Sequence, residues 1–135
     1  MPTADDYHHA AELRGALRRF LRRSEAVARR HGLTTQRYEL LLAATTGRDG
    51  TGRATLAELA ERLALAPSSI TELVARSEAL GLVRRELDPS RRRAVFVAVT
   101  PEGERRLSAV VDELEGERAA LAEIVARHAG DPASS

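Results

Sequence analysis

Apolar residues recur at three- and four-residue steps from Thr3 to Arg30. Leu13, Leu17, Phe20, Leu21 and Val27 mark one face, while Arg14, Arg18, Arg22 and Arg29 fall largely elsewhere on the wheel. That pattern predicts one long amphipathic helix, ended by Gly32. Thr34 is placed to cap a second helix over 35–45, with Tyr38, Leu41 and Leu42 facing inward. The stretch Gly47 to Gly52 reads as a loop. Thr55, with Glu58 three residues on, is a capping box for a third helix over 56–63. Ala66-Pro67 opens a fourth, which runs to about Leu80 and stops at Gly81. Its buried stripe is predicted to be Ile70, Leu73, Val74 and Leu80. Two strand-like runs follow, 82–87 and 94–99, the second alternating β-branched residues. Thr100-Pro101-Glu102 starts a last helix, predicted to continue unbroken to about His128. Its Leu107, Val111, Leu114, Leu121, Val125 and His128 lie near a 3.5-residue period. Residues 130–135 read as a flexible tail.

Composition narrows the class. The chain has 135 residues, 43% hydrophobic and 30% charged, which suits one domain with a core of its own. Aromatics are 3%, so Ala, Leu and Val must build that core. Net charge is only +1, so clustering of charge decides more than its sum. All 21 basic residues are arginine. Beside so much alanine, that is the mark of GC-rich coding and is discounted as a functional signal. With no cysteine, disulfides, thiolate zinc sites and thiol redox sensing are excluded. The polar start, MPTADDYHHA, does not read as a signal peptide, and no apolar run nears the ~18 residues of a membrane span. A cytoplasmic protein is expected.

The chemistry lies in the middle of the chain. Two short helices joined by a tight turn, then a basic hairpin, make a winged helix-turn-helix. The fold class expected is mainly α with a small β-hairpin wing (α+β). A helix of this kind fits the major groove and presents its first turns to base edges. Pro67, Ser68, Ser69, Thr71, Glu72 and Arg76 occupy the start and outer face of the fourth helix. Between Leu82 and Val95 the hairpin carries five arginines (Arg84, Arg85, Arg91, Arg92, Arg93) against Glu86 and Asp88, a local +3. At a loop tip, Arg91, Arg92 and Arg93 could enter a narrow, electronegative minor groove.

Taken together, Arg37-Tyr38-Glu39-Leu40-Leu41, Leu56-Ala57-Glu58-Leu59-Ala60, Leu80-Gly81-Leu82-Val83-Arg84-Arg85, Asp88-Pro89 and Thr100-Pro101-Glu102-Gly103 resemble the MarR (multiple antibiotic resistance regulator) family. The resemblance implies a homodimeric repressor of palindromic operators, with double-stranded DNA as partner. Residues 1–31 and 101–129 would be dimerisation helices, and 34–100 the DNA-binding lobe. It also implies release by a small phenolic or anionic effector bound between the dimer and DNA lobes. Carried over, Ser68, Ser69, Thr71 and Arg76 would face the major groove. Arg93 would be the wing-tip arginine, and Asp88 the acid that opens the wing.

Departures from the family pattern change the expectation. Ala66 stands where a capping Ser is usual, at a cost of roughly 1 kcal/mol. Glu72 replaces a frequent Arg; it repels phosphate but can accept from cytosine N4. Arg91 replaces a second acid, making the wing more basic and its binding more salt-dependent. Ser77 replaces a leucine, so looser or wetter packing is expected there. The short C-terminus suggests a smaller dimer interface.

Other residues weigh less. Tyr38, Arg14 and Arg18 are candidates for an effector site, although a core tyrosine and a solvated helix face explain them more simply. His8 and His9 are adjacent on a helix and point apart, so no metal site is expected, and only a dimer is expected to bring His9 near another subunit's His128. No cofactor is implied. No nucleophile–base arrangement, phosphate loop or metal signature points to an enzyme. The alternative is a winged-helix protein-interaction module with weak or no DNA binding, for which Glu72 and the near-neutral lobe speak.

Overall fold

The computed structural model describes residues 1–47, 52–88 and 94–129. Among the described residues, six helices and three strands follow in the order α1 (Ala4–Arg30), α2 (Thr35–Thr45), β1 (Arg53–Thr55), α3 (Leu56–Leu63), α4 (Pro67–Ala79), β2 (Val83–Leu87), β3 (Val95–Val99), α5 (Pro101–Glu113) and α6 (Glu115–His128). The class is the one expected, mainly α with a small antiparallel sheet. Side-chain caps set four of the starts. Thr3, Thr34, Thr55 and Thr100 each accept from the backbone N–H three residues on, satisfying one of the donors a helix start leaves unpaired. α4 lacks such a cap, because Ala66 has no side-chain oxygen; Pro67 begins it instead.

Strand β1 is not legible in the sequence. Arg53, Ala54 and Thr55 carry no alternation, and they form a strand only by pairing with Ala98, Val97 and Phe96. The sheet order is β1-β3-β2, so β3 is the central strand. Phe96, Val97 and Ala98 are all buried, where simple alternation predicts one wet face: helices α2, α3 and α5 pack against β3, and the Arg53 guanidinium covers the Phe96 ring.

The core gathers around α2 and α4. Leu40, Leu41, Ala43 and Ala44 of α2 are buried, while Tyr38 and Leu42 pack only partly against them. On α4, Ile70, Leu73 and Val74 are buried as the periodicity predicts. Leu80 is not: it is 53% exposed, and Ser77 takes the fourth inner place at 0%. The helix ends at Ala79, and the chain turns through Gly81 at φ 76°, which lifts Leu80 off the stripe. Ser77, where looser or wetter packing is expected, is fully buried. Its hydroxyl donates to the Leu73 carbonyl at 2.8 Å, so the buried oxygen is satisfied within the helix.

The predicted single C-terminal helix is two. It breaks at Leu114, whose φ of −92° and ψ of 4° leave the regular helical values. Leu114 is fully buried and fixes the chain in the core, while the Arg118 guanidinium donates to the Val111 carbonyl at 2.5 Å, satisfying an acceptor that the break leaves open.

Beyond the break, α6 packs on α1, with Arg23 and Glu117 paired at 3.3 Å. The His9 and His128 rings lie 4.7 Å apart within one chain, correcting the expectation that only a partner subunit could bring them together. The antiparallel course of α1 and α6 is what achieves this. α6 buries no residue, and Leu17 (43%), Leu21 (56%) and Val125 (47%), members of the apolar stripes of the first and last helices, are exposed.

Where α5 meets the turn before β2, the backbones touch. Thr100 N–H donates to the Leu82 carbonyl at 3.0 Å, and the Thr100 hydroxyl to the Gly81 carbonyl at 2.5 Å. A Cβ on Gly103 would collide with the Leu82 carbonyl oxygen and a methyl of Val99. Gly103→Ala should therefore lower unfolding stability by roughly 1–3 kcal/mol, as overpacked sites do. Urea denaturation measures it; an unchanged midpoint would show that the two backbones have room to part.

Candidate nucleic-acid interface

Inward anchoring of α4 determines what it presents outward. With Ile70, Leu73, Val74 and Ser77 buried, the helical period leaves Pro67, Ser68, Ser69, Thr71, Glu72 and Arg76 on the other side, and all six are exposed. Three of them are engaged with their own helix. The Thr71 hydroxyl donates to the Pro67 carbonyl at 2.9 Å, leaving its lone pairs as acceptors. Glu72 and Arg76 form an exposed i,i+4 ion pair at 2.6 Å. Such a pair contributes only about 0.3–0.5 kcal/mol, so a stronger acceptor could take Arg76 from it.

α4 is tied to the sheet through one carboxylate. Glu78 accepts from the Arg85 backbone N–H at 3.0 Å and from its guanidinium at 2.9 and 3.1 Å. The backbone hydrogen bond, then the guanidinium, hold the Glu78 carboxyl below the ordinary carboxylate range. Glu86 likewise bonds Arg84 at 2.8 Å and Arg53 at 3.4 Å, and Arg53 lies 4.1 Å over the Phe96 ring. So the hairpin's +3 overstates its open charge: Arg84 and Arg85 are each paired. The remaining basic residues, Arg91, Arg92 and Arg93, lie outside the described residues.

The effector candidates are not gathered into one site. Tyr38 is half-buried against the core, and burial pushes its phenol up, with Arg118 acting in the opposite sense. Arg14 and Arg18 are exposed on α1, on either side of the buried Ala16, and the Val27 and Ala28 that join the main core lie more than two turns further along. Among the described residues, no cluster of three or more His, Asp or Glu side chains could hold a metal ion. Sequence reasoning missed Arg29 and Arg37. Together with Ser69, Glu72 and Arg76 they line a cleft of about 540 Å³ between α4 and the start of α2. Their signal was available: Thr34-Thr35-Gln36-Arg37 opens a helix with no acid in its first turn.

A helix-turn-helix whose second helix shows a polar face, backed by a three-stranded sheet, defines a winged helix-turn-helix protein. Residues 31–94 match the model of the MarR family, so this lobe is similar to that family. A curated relative, the transcriptional regulator HosA of Escherichia coli O111:H-, is 48% identical over 44 residues, 33% of each chain. The matched stretch thus spans a third of that relative's length. Over most of the chain the fold is that of a MarR family protein from Bacillus stearothermophilus, with a TM-score of 0.74, 22% identity, and coverage of 99% of this chain and 87% of that one. A point mutant of Staphylococcus aureus MepR, bound to an oligodeoxyribonucleotide, is also similar, with a TM-score of 0.66, 16% identity, and coverage of 84% and 81%.

The Glu78 link has a consequence for pH. Its folded-state pKa lies below the ordinary value, so its contribution is present above that value and is lost as pH falls through the folded one. The stability gap between the wild type and Glu78→Gln should be present at pH 7 and shrink steadily below about pH 4.5. Urea titrations across this range measure it; a gap constant with pH would show that ionised Glu78 does not stabilise the α4–β2 junction.

Proposed function

We propose that the chain is a homodimeric, sequence-specific DNA-binding transcriptional regulator, with residues 34–100 as the DNA-binding lobe. The observation that carries this is the outward polar face of α4, with Ser68, Ser69, Thr71, Glu72 and Arg76 exposed on a helix held firmly from behind. Short hydroxyl, carboxylate and guanidinium groups at a helix start are the chemistry that reads base edges and grips phosphates. Arg91, Arg92 and Arg93 are the proposed wing contacts. The oligonucleotide carried by MepR supports this reading, since the two chains share a fold.

Dimerisation is proposed through residues 1–31 and 101–129. Support comes from the apolar surface that α1 and α6 leave uncovered in one chain. Leu17, Leu21 and Val125 are exposed, beside a groove of about 310 Å³ lined by Phe20, Leu121 and Ile124. Apolar patches of this kind mark interaction surfaces, and a symmetric pair would place two lobes on a palindromic site. The regulator is read as a repressor, released when a small phenolic or anionic effector binds near Tyr38. No described helix is long and apolar enough to cross a membrane, and the proposed location is the cytoplasm.

Selection of bound duplexes from a random pool tests this reading. A palindromic consensus is expected. Ser69→Ala and Glu72→Gln should change which bases are preferred, whereas Arg93→Ala should weaken all duplexes alike and make the salt slope shallower by about 1. No duplex binding at ~50 mM salt would favour an interaction module instead.

A further inference from the structure

The cleft beside α4 is built for an oxyanion. Three guanidinium groups line it, those of Arg29, Arg37 and Arg76, against the single carboxylate of Glu72. Thr35 and Gln36, the first two residues of α2, line it as well. Thr34 satisfies the N–H of Arg37, but the N–H groups of Thr35 and Gln36 belong to the first turn, which has no intrahelical acceptors for them. No acidic side chain stands in that turn to offset the positive end of the helix. Two of the arginines have carboxylate partners, Arg29 with Glu25 at 2.9 Å and Arg76 with Glu72 at 2.6 Å. Arg37 differs. Its Nε is buried and meets no hydrogen-bond partner, which is costly for a charged donor. A cleft with three guanidinium groups against one carboxylate, an Arg37 that has no carboxylate partner among the described residues, and an open helix start suits an anionic oxygen acceptor.

We propose that this cleft seats one phosphate of the duplex backbone, with Arg37 donating to it from the wall, Arg29 from the rim, and Arg76 joining once it leaves Glu72. The inference rests on the DNA-binding reading and adds a residue set to it. Ser69 and Arg76 line the same cleft and belong to the face that would enter the groove. A strand flanking that groove therefore passes over Arg29 and Arg37. The seated phosphate would fix the angle and depth of α4 without reading sequence, as phosphate contacts do. Glu72 has a second part here. By holding Arg76 in the free chain, it keeps the cleft's charge lower until DNA arrives.

The test measures duplex affinity against salt concentration for the wild type, Arg37→Gln, Arg37→Lys and Arg29→Gln, with the duplexes preferred by the wild type and with scrambled ones. Arg37→Gln and Arg29→Gln should each weaken both duplex sets by a similar factor, and Arg37→Gln should lower the salt slope by about 0.9 per seat. Arg37→Lys should recover part of the slope but not the full affinity, since an ammonium lacks the planar fork. Thermal unfolding of each variant shows whether the helix packing is kept. If Arg37→Gln folds like the wild type yet binds with the same slope and affinity, the seat is wrong while the DNA-binding reading stands. If the wild type itself binds no duplex, the reading fails first.

Inorganic phosphate, titrated at constant ionic strength, separates a strand phosphate from a free anion. The proposal expects phosphate to compete weakly with duplex, and only where Arg37 is intact. Tight phosphate binding that leaves duplex affinity unchanged would overturn it.

Discussion

Everything about the interface depends on how one short helix is held. α4 puts Ile70, Leu73 and Val74 into the core and closes the stripe with Ser77. Burying three aliphatic side chains is worth roughly 1.5–3 kcal/mol each. The outward interactions are far weaker; the exposed Glu72–Arg76 pair is worth under about 1 kcal/mol. Rotation of the helix about its axis is therefore decided from behind. Polar groups at the start of α4 stay outward and unburied because no arrangement that hides them keeps the aliphatic stripe buried. The missing side-chain cap at Ala66 is tolerated for the same reason: packing, rather than the helix start, holds this element.

The sheet and α5 extend that anchoring. Glu78 clasps Arg85 and carries β2 with it, and the Leu82 backbone meets α5 at Thr100 and Gly103. The hairpin thus has a fixed angle to α4, even though its first arginines are neutralised locally by Glu78 and Glu86. A count of charges along the hairpin misjudges it, because pairing is a property of the fold and not of the segment.

Much of this was legible in the sequence, for identifiable reasons. The threonine caps and the glycine stops at 32 and 81 are local signals, and the boundaries of α2 and α3 follow from them. The aliphatic stripe of α4 is a period that needs no partner to be recognised. What escaped depends on residues far apart in the chain. Arg53-Ala54-Thr55 is a strand only opposite Phe96–Ala98. The break at Leu114 follows from its burial in the core and from Arg118 reaching back to Val111. Leu80 looked like a fourth core position because its spacing fits, but the turn at Gly81 carries it outward. The cleft of Arg29 and Arg37 joins the end of α1 to the start of α2 and the middle of α4, three places that no single window covers.

The central claim is that the face of α4 bearing Ser69 lies in the major groove. The chain has no cysteine, so a single introduced one can be labelled without background. Ser69→Cys carrying a DNA-cleaving chelate should cut a bound duplex at a few positions within the protected site. The same reagent on Ser108→Cys, exposed on α5, should cut little or not at all. Cutting from position 108 but not from position 69, with both proteins bound, would contradict the account.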